Sequence, residues 1–111
     1  MPFKRGPIYS AINRRRAHQD TKWGTEFDDR NTANDWVSYI CTYASKASKM
    51  KVTVAEFQKS MLDVAALAVA AIEAVERNGG LPPRHYDDPA EPTRPEPRKQ
   101  WWARLLKAFT K

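Results

Sequence analysis

One cysteine and four glycines are all that this 111-residue chain has of either type. Cys41 has no second thiol to pair with, which excludes an internal disulfide, a CxxC pair and a cysteine zinc cluster and fits a reducing compartment. Long apolar runs are missing too. The longest, residues 64–72, falls far short of the ~20 residues that a bilayer-spanning helix needs. The opening Met1-Pro2-Phe3-Lys4-Arg5-Gly6-Pro7 lacks the continuous apolar stretch of a signal peptide. A cytoplasmic protein with no transmembrane segment is expected. Acid is absent from both ends: residues 1–16 and 98–111 each carry five basic residues and no carboxylate, whereas 17–97 holds nine basic residues and all 13 acids and is net −4. The overall charge of +6 therefore belongs to the tails, and points to an anionic partner or solubilising arms rather than to a basic groove.

What is present is helical periodicity. A hydrophobic content of 41% over this length supports one core, too little for separate cofactor and substrate domains. Ile8, Ala11, Ile12 and Ala17 share a face of a helix over 8–18, with Arg14, Arg15 and Arg16 mostly off it. Residues 20–31 are polar, contain Gly24 and Asp28-Asp29, and read as a loop. Thr32 and Asp35 form a capping box ahead of Trp36, Ile40, Tyr43, Ala44 and Ala47, one face of a second helix. The pattern breaks over 49–52. Thr53 and Glu56 form another capping box for a helix running to Arg77, stopped by Asn78-Gly79-Gly80.

This third helix has only Asp63 as a polar residue between Met61 and Ile72, so it is expected at the buried centre. Its alanines admit close neighbours. It presents more apolar surface than two short partners can cover, and a homo-oligomer is expected from that. Six prolines between 81 and 97 predict an extended strap. Residues 98–111 return to helical spacing, with Trp101, Trp102, Leu105, Leu106 and Phe109 on one side and Arg98, Lys99, Arg104 and Lys107 on the other or flanking it. The expected architecture is all-α: a small bundle of three core helices (1–80), a proline-rich linker (81–97) and a basic amphipathic C-terminal helix (98–111).

Three segments carry a resemblance to a known family: Arg16-Ala17-His18-Gln19-Asp20-Thr21-Lys22-Trp23-Gly24; Asp28-Asp29 followed by Asp35-Trp36; and the alanine-rich run from Phe57 to Glu73. Together they resemble a phage-associated branch of the MazG-like, all-α nucleotide pyrophosphohydrolases. In that family a Glu-Glu-x-x-Glu cluster and a Glu-x-x-Asp pair hold Mg²⁺ against a triphosphate. The resemblance puts Thr42, Tyr43 and Lys46 in the first set of positions and Ser60 and Asp63 in the second. One carboxylate of five remains, and Lys46 would repel a metal ion. The resemblance thus implies the scaffold without the reaction, and phage or prophage origin in a bacterial host.

The expected function is non-catalytic binding or assembly, with no cofactor. Arg16, Gln19, Lys22 and Trp23 are candidate nucleotide or anion contacts; in the alternative, Trp23 plugs the bundle end and Gly24 permits a turn. Asp63, Asp28, Asp29 and Asp35 are relic metal candidates. As a lone acid on an apolar helix, Asp63 is expected to pair with Arg14, Arg16, Lys22 or a neighbouring subunit. The arginine run is otherwise read as a solvated face, and Cys41 as a small core residue. The C-terminal helix is expected to dock on the bundle or a sister subunit, with another protein or an anionic surface as alternatives. Two rivals remain: a Mg-dependent pyrophosphohydrolase with relocated ligands, and a nucleic-acid binder using the basic termini.

Overall fold

The computed structural model describes residues 4–87, and among these every regular element is helical. Helix α1 spans Arg5–Lys22, α2 Gly24–Arg30 and α3 Ala33–Ser45; a 3₁₀ turn covers Lys46–Ser48, and α4 runs Val54–Asn78. The all-α class is as expected.

Helix α1 begins earlier than its apolar spacing indicates, with Pro7 in the first turn, where no intrahelical N–H is required. It also ends later. The polar stretch read as a loop is helical on both sides of one kink. Arg16 Nη1 reaches Asp20 Oδ1 at 2.7 Å one turn on, and the Thr21 hydroxyl donates to the Ala17 carbonyl at 3.1 Å, carrying α1 to Lys22. The Trp23 N–H then closes on the Gln19 carbonyl, and Gly24, at φ 79°, turns the chain into α2. The left-handed backbone that only glycine adopts cheaply is the whole break.

Both capping boxes form as expected. The Asp35 N–H donates to Thr32 Oγ1 at 3.3 Å while Asp35 Oδ2 accepts from the Thr32 N–H at 2.9 Å. Thr53 and Glu56 repeat this at the start of α4, with both bonds at 3.1 Å. Lys51 takes a positive φ of 59° in the break between the 3₁₀ turn and α4. Gly79, at φ 73°, ends α4 as a left-handed C-cap, its N–H on the Val75 carbonyl at 2.7 Å.

Helix α4 packs against each of the other three helices. Its buried residues, Ser60, Asp63, Ala66, Leu67, Ala70 and Ala74, form one stripe. Trp36 of α3 sits on Leu67, Ala70 and Ala74, with Tyr39, Ile40, Tyr43 and Leu81 around them. The opposite side of α4 is apolar as well. At 3.6 residues per turn Val54, Phe57, Met61, Val64, Ala68 and Ile72 lie together there, with Phe57 47% and Ile72 39% exposed. The helix is central, as expected, but only one of its two apolar sides is buried.

Cys41 is exposed rather than in the core. Five residues beyond Trp36 it lies about 140° round α3, away from α4. The chain leaves α4 without helix, yet the start of the strap is bent rather than extended. The Asp87 N–H meets the Arg84 carbonyl at 3.0 Å, and Asn34 of α3 donates to the Tyr86 hydroxyl at 2.9 Å. The rest of the strap and the C-terminal residues Arg98, Lys99, Trp101, Trp102, Arg104, Leu105, Leu106, Lys107 and Phe109 lie outside the described residues. No helix among the described residues is long and apolar enough to cross a membrane.

Candidate functional site

The kink at Trp23-Gly24 folds α2 back beside α1 and α4, and a partly open cavity of about 220 Å³ forms where the four helices meet. Its aromatic wall is a ladder. Trp23 stacks on Phe27 (centroids 6.1 Å apart), Phe27 on Tyr39 (6.2 Å), and Tyr39 meets Trp36 edge to face (6.3 Å). Tyr43, Leu67 and Ala70 complete the apolar lining, and Arg16, Gln19 and Asp28 supply the polar part. Trp23 stands at the rim, 38% exposed, whereas Trp36 is 4% exposed.

Arg16 is the best-buried cation, and three carboxylates surround it. Its Nε donates to Glu73 Oε1 at 2.6 Å, Nη1 to Asp20 at 2.7 Å and Nη2 to Asp28 Oδ2 at 3.2 Å. Burial works against its charge, but the hydrogen bond and attraction of Glu73, followed by those of Asp20, outweigh it and raise its pKa above the ordinary value. For Asp28 burial wins: its pKa is raised despite Arg16, with Asp20 and Asp29 adding repulsion. The cluster is net negative, and the guanidinium is spent on protein carboxylates.

Two residues that line the cavity each hold an enclosed polar atom with no hydrogen-bond partner among the described residues: Gln19 Oε1, an acceptor, and Trp36 Nε1, a donor. Asn31 Nδ2 is a third such atom, on the residue whose Oδ1 accepts from the Tyr39 hydroxyl at 3.4 Å. A buried polar group left unmatched costs about 1–3 kcal/mol.

Of the residues expected to contact nucleotide or anion, Arg16, Gln19 and Trp23 come together here. Lys22 does not line the cavity; its Nζ lies over the Trp23 ring, 4.8 Å from the centroid. Of the two readings of the Trp23-Gly24 pair, the second has a counterpart here: Gly24 makes the turn and Trp23 stands at the cavity edge.

The relic metal candidates are dispersed. Asp28 serves Arg16, and Asp35 serves the α3 cap. Asp29 accepts from Arg77 Nε at 3.0 Å and Asn78 Nδ2 at 2.9 Å, and those bonds hold its pKa below the usual carboxylate value. Asp63 is paired, though with Arg15, and with Lys59 at 3.3 Å, rather than with Arg14, Arg16 or Lys22. The arginine run is therefore not simply a solvated face, because two of its members are internal counter-ions. Among the described residues no group of three or more His, Cys, Asp or Glu side chains is arranged to hold a metal ion. Lys46 lies with its Nζ over the Tyr43 ring at 4.5 Å.

Glu73, Phe27, Tyr39 and Leu67 are site residues that sequence reasoning missed. Asp20 lies one turn from Arg16, a spacing that signals a helical ion pair only once residue 20 is placed on α1 rather than in a loop; Glu73, 57 positions away, left no local signal. No family model, curated protein or solved structure matches the chain, so the MazG-like resemblance stands on the segments quoted above.

Proposed function

We propose that this chain is a non-catalytic binding or assembly protein on a MazG-like helical scaffold, encoded by a phage or prophage and working in the bacterial cytoplasm. The observation that carries this is α4, apolar on two opposite sides and covered on one by α1, α2 and α3. Along its second side Phe57 and Ile72 are exposed and Met61, Val64 and Ala68 half-buried; apolar area left partly in water on a small chain fits a protein contact, and a second copy of the same helix offers the matching face. The 98–111 segment, basic with five large apolar residues, serves attachment in this reading, either to a sister subunit or to a protein partner. The test is solution mass. The intact chain is expected at a multiple of 12.7 kDa, and Phe57→Lys with Ile72→Lys should return it to monomer with its helical content intact. A monomer at every concentration would remove the assembly reading.

The hydrolase alternative needs Mg²⁺ held by Asp28, Asp29, Asp35 or Asp63. Each of these already accepts hydrogen bonds from the protein, Asp28 and Asp29 on α2, Asp35 on α3 and Asp63 on α4. Magnesium-dependent pyrophosphate release that Asp63→Asn abolishes would favour it. The nucleic-acid alternative requires a salt slope matching the basic tails.

A further inference from the structure

The most exposed large apolar residues among those described are Met50, at 88%, and Val54, at 74%, and both lie where the 3₁₀ turn hands over to α4. Solvent contact on that scale means that they stand out from the surface rather than line a groove. Around them Lys46, Lys49 and Lys51 are all exposed, against one acid in the same stretch, Glu56. The segment is held in this form. Ser48 Oγ donates to the Ser45 carbonyl at 2.8 Å, the Lys49 ammonium pairs with Glu56, and Glu56 in turn accepts from the Thr53 N–H at 3.1 Å. Lys51 takes a φ of 59°, a conformation less favourable for lysine than for glycine or asparagine, so the turn that presents Met50 keeps a cation beside it despite the backbone strain.

We propose that this turn is a membrane contact: Met50 and Val54 enter the headgroup layer of an anionic bilayer while Lys46, Lys49 and Lys51 meet its phosphates. A bilayer surface yields to a projecting side chain without a preformed groove, and an unbranched methionine adapts to it. The lysines set the sign, since basic segments gather at anionic lipid. A second copy of the chain is a poor occupant, because paired turns would set the same three lysines against each other. The attachment is reversible and salt-sensitive, as two side chains bury too little apolar area for a permanent anchor.

This surface does not depend on assembly through α4, which solution mass tests. Both basic ends of the chain attract anionic lipid as well, so position has to be read along with affinity. In the full chain carrying Cys41→Ser, an environment-sensitive fluorophore is placed on Met50→Cys or, as a control, on Thr25→Cys of α2, whose Asp29 meets Arg77 at the other end of α4, about 35 Å along the helix from Val54. With vesicles of equal parts phosphatidylglycerol and phosphatidylcholine the label at position 50 should brighten and shift to the blue while the label at position 25 does not; phosphatidylcholine alone should move neither. In the unlabelled chain Met50→Ser should weaken sedimentation with the mixed vesicles about tenfold and Lys51→Gln about fivefold, with helical content unchanged because both side chains are exposed. Equal shifts of the two labels, a silent label at position 50, or unchanged affinity in the two variants would each overturn the proposal. So would a label at position 50 that answers polyglutamate but not the vesicles, which would assign the turn to an acidic protein.

Discussion

At Arg16 one guanidinium faces three carboxylates, and the four groups are unequal. Arg16 and Asp28 are inside, whereas Asp20 and Glu73 are half in water and lose little if left alone. Arg16→Met should cost about 3 kcal/mol, because it strands Asp28 as an uncompensated buried charge; thermal or urea denaturation measures it. Asp28→Asn should behave differently. Burial raises the folded-state pKa of Asp28, so folding favours its protonated form, and stability from this group is present below the ordinary carboxylate range and falls as pH rises through the raised value. A neutral isostere that still accepts from Arg16 should hold or raise the melting temperature at pH 7; a clear fall would show that the charge is needed. Glu56 has the opposite sign. Lys49, then the Thr53 N–H and hydroxyl, hold its pKa down to about 2 from an ordinary 4.5. Its contribution is complete above the ordinary value and is lost as pH falls towards 2, so Glu56→Gln should flatten the decline of melting temperature between about pH 5 and 2. Equal slopes in the two proteins would show that Glu56 is not the titrating group.

The helices divide by what fixes their ends. α3 and α4 were legible because Thr32, Asp35, Thr53, Glu56 and Gly79 act within a few residues of themselves. α1 and α2 were not, because α1 docks through Arg16 and Gln19, and no apolar period records a buried arginine held by Glu73 from another helix. The cavity was half legible for the same reason: Arg16, Gln19 and Trp23 stood in one motif, whereas Phe27 lay in a stretch too polar to read as a wall. Gly24 is the element-scale joint. A Cβ there would meet nothing within 4 Å, so Gly24→Ala should cost only the left-handed backbone penalty, about 1 kcal/mol, and a larger loss in denaturation would mean that the α1–α2 kink itself had moved. On α4 the alanine run does not reveal which alanines are crowded. Ala66 is 0% exposed, and Ala66→Leu should destabilise by about 1–3 kcal/mol, whereas Ala68, on the outward side, should accept leucine at little cost to the fold.

Across the whole molecule net charge and apolar surface are largely kept apart. The described body holds most of the acids, several of them paired within it as at Arg16, Asp29 and Asp63, two of those pairings using Arg15 and Arg16 of the N-terminal end, while residues 98–111 carry five cations and no acid. Apolar contact through α4 and electrostatic contact through the ends are therefore separable. Deleting 98–111 removes five basic residues and no acid, taking the formal charge from +6 to +1. If those residues neutralise a polyanion, the slope of log affinity for double-stranded DNA against log salt should fall by about 4.5, near 0.9 for each cation lost. Solution mass then distinguishes the two roles of the segment. An unchanged mass with a reduced slope assigns it to an anionic partner, whereas a fall to monomer with an unchanged slope assigns it to subunit contact beside α4.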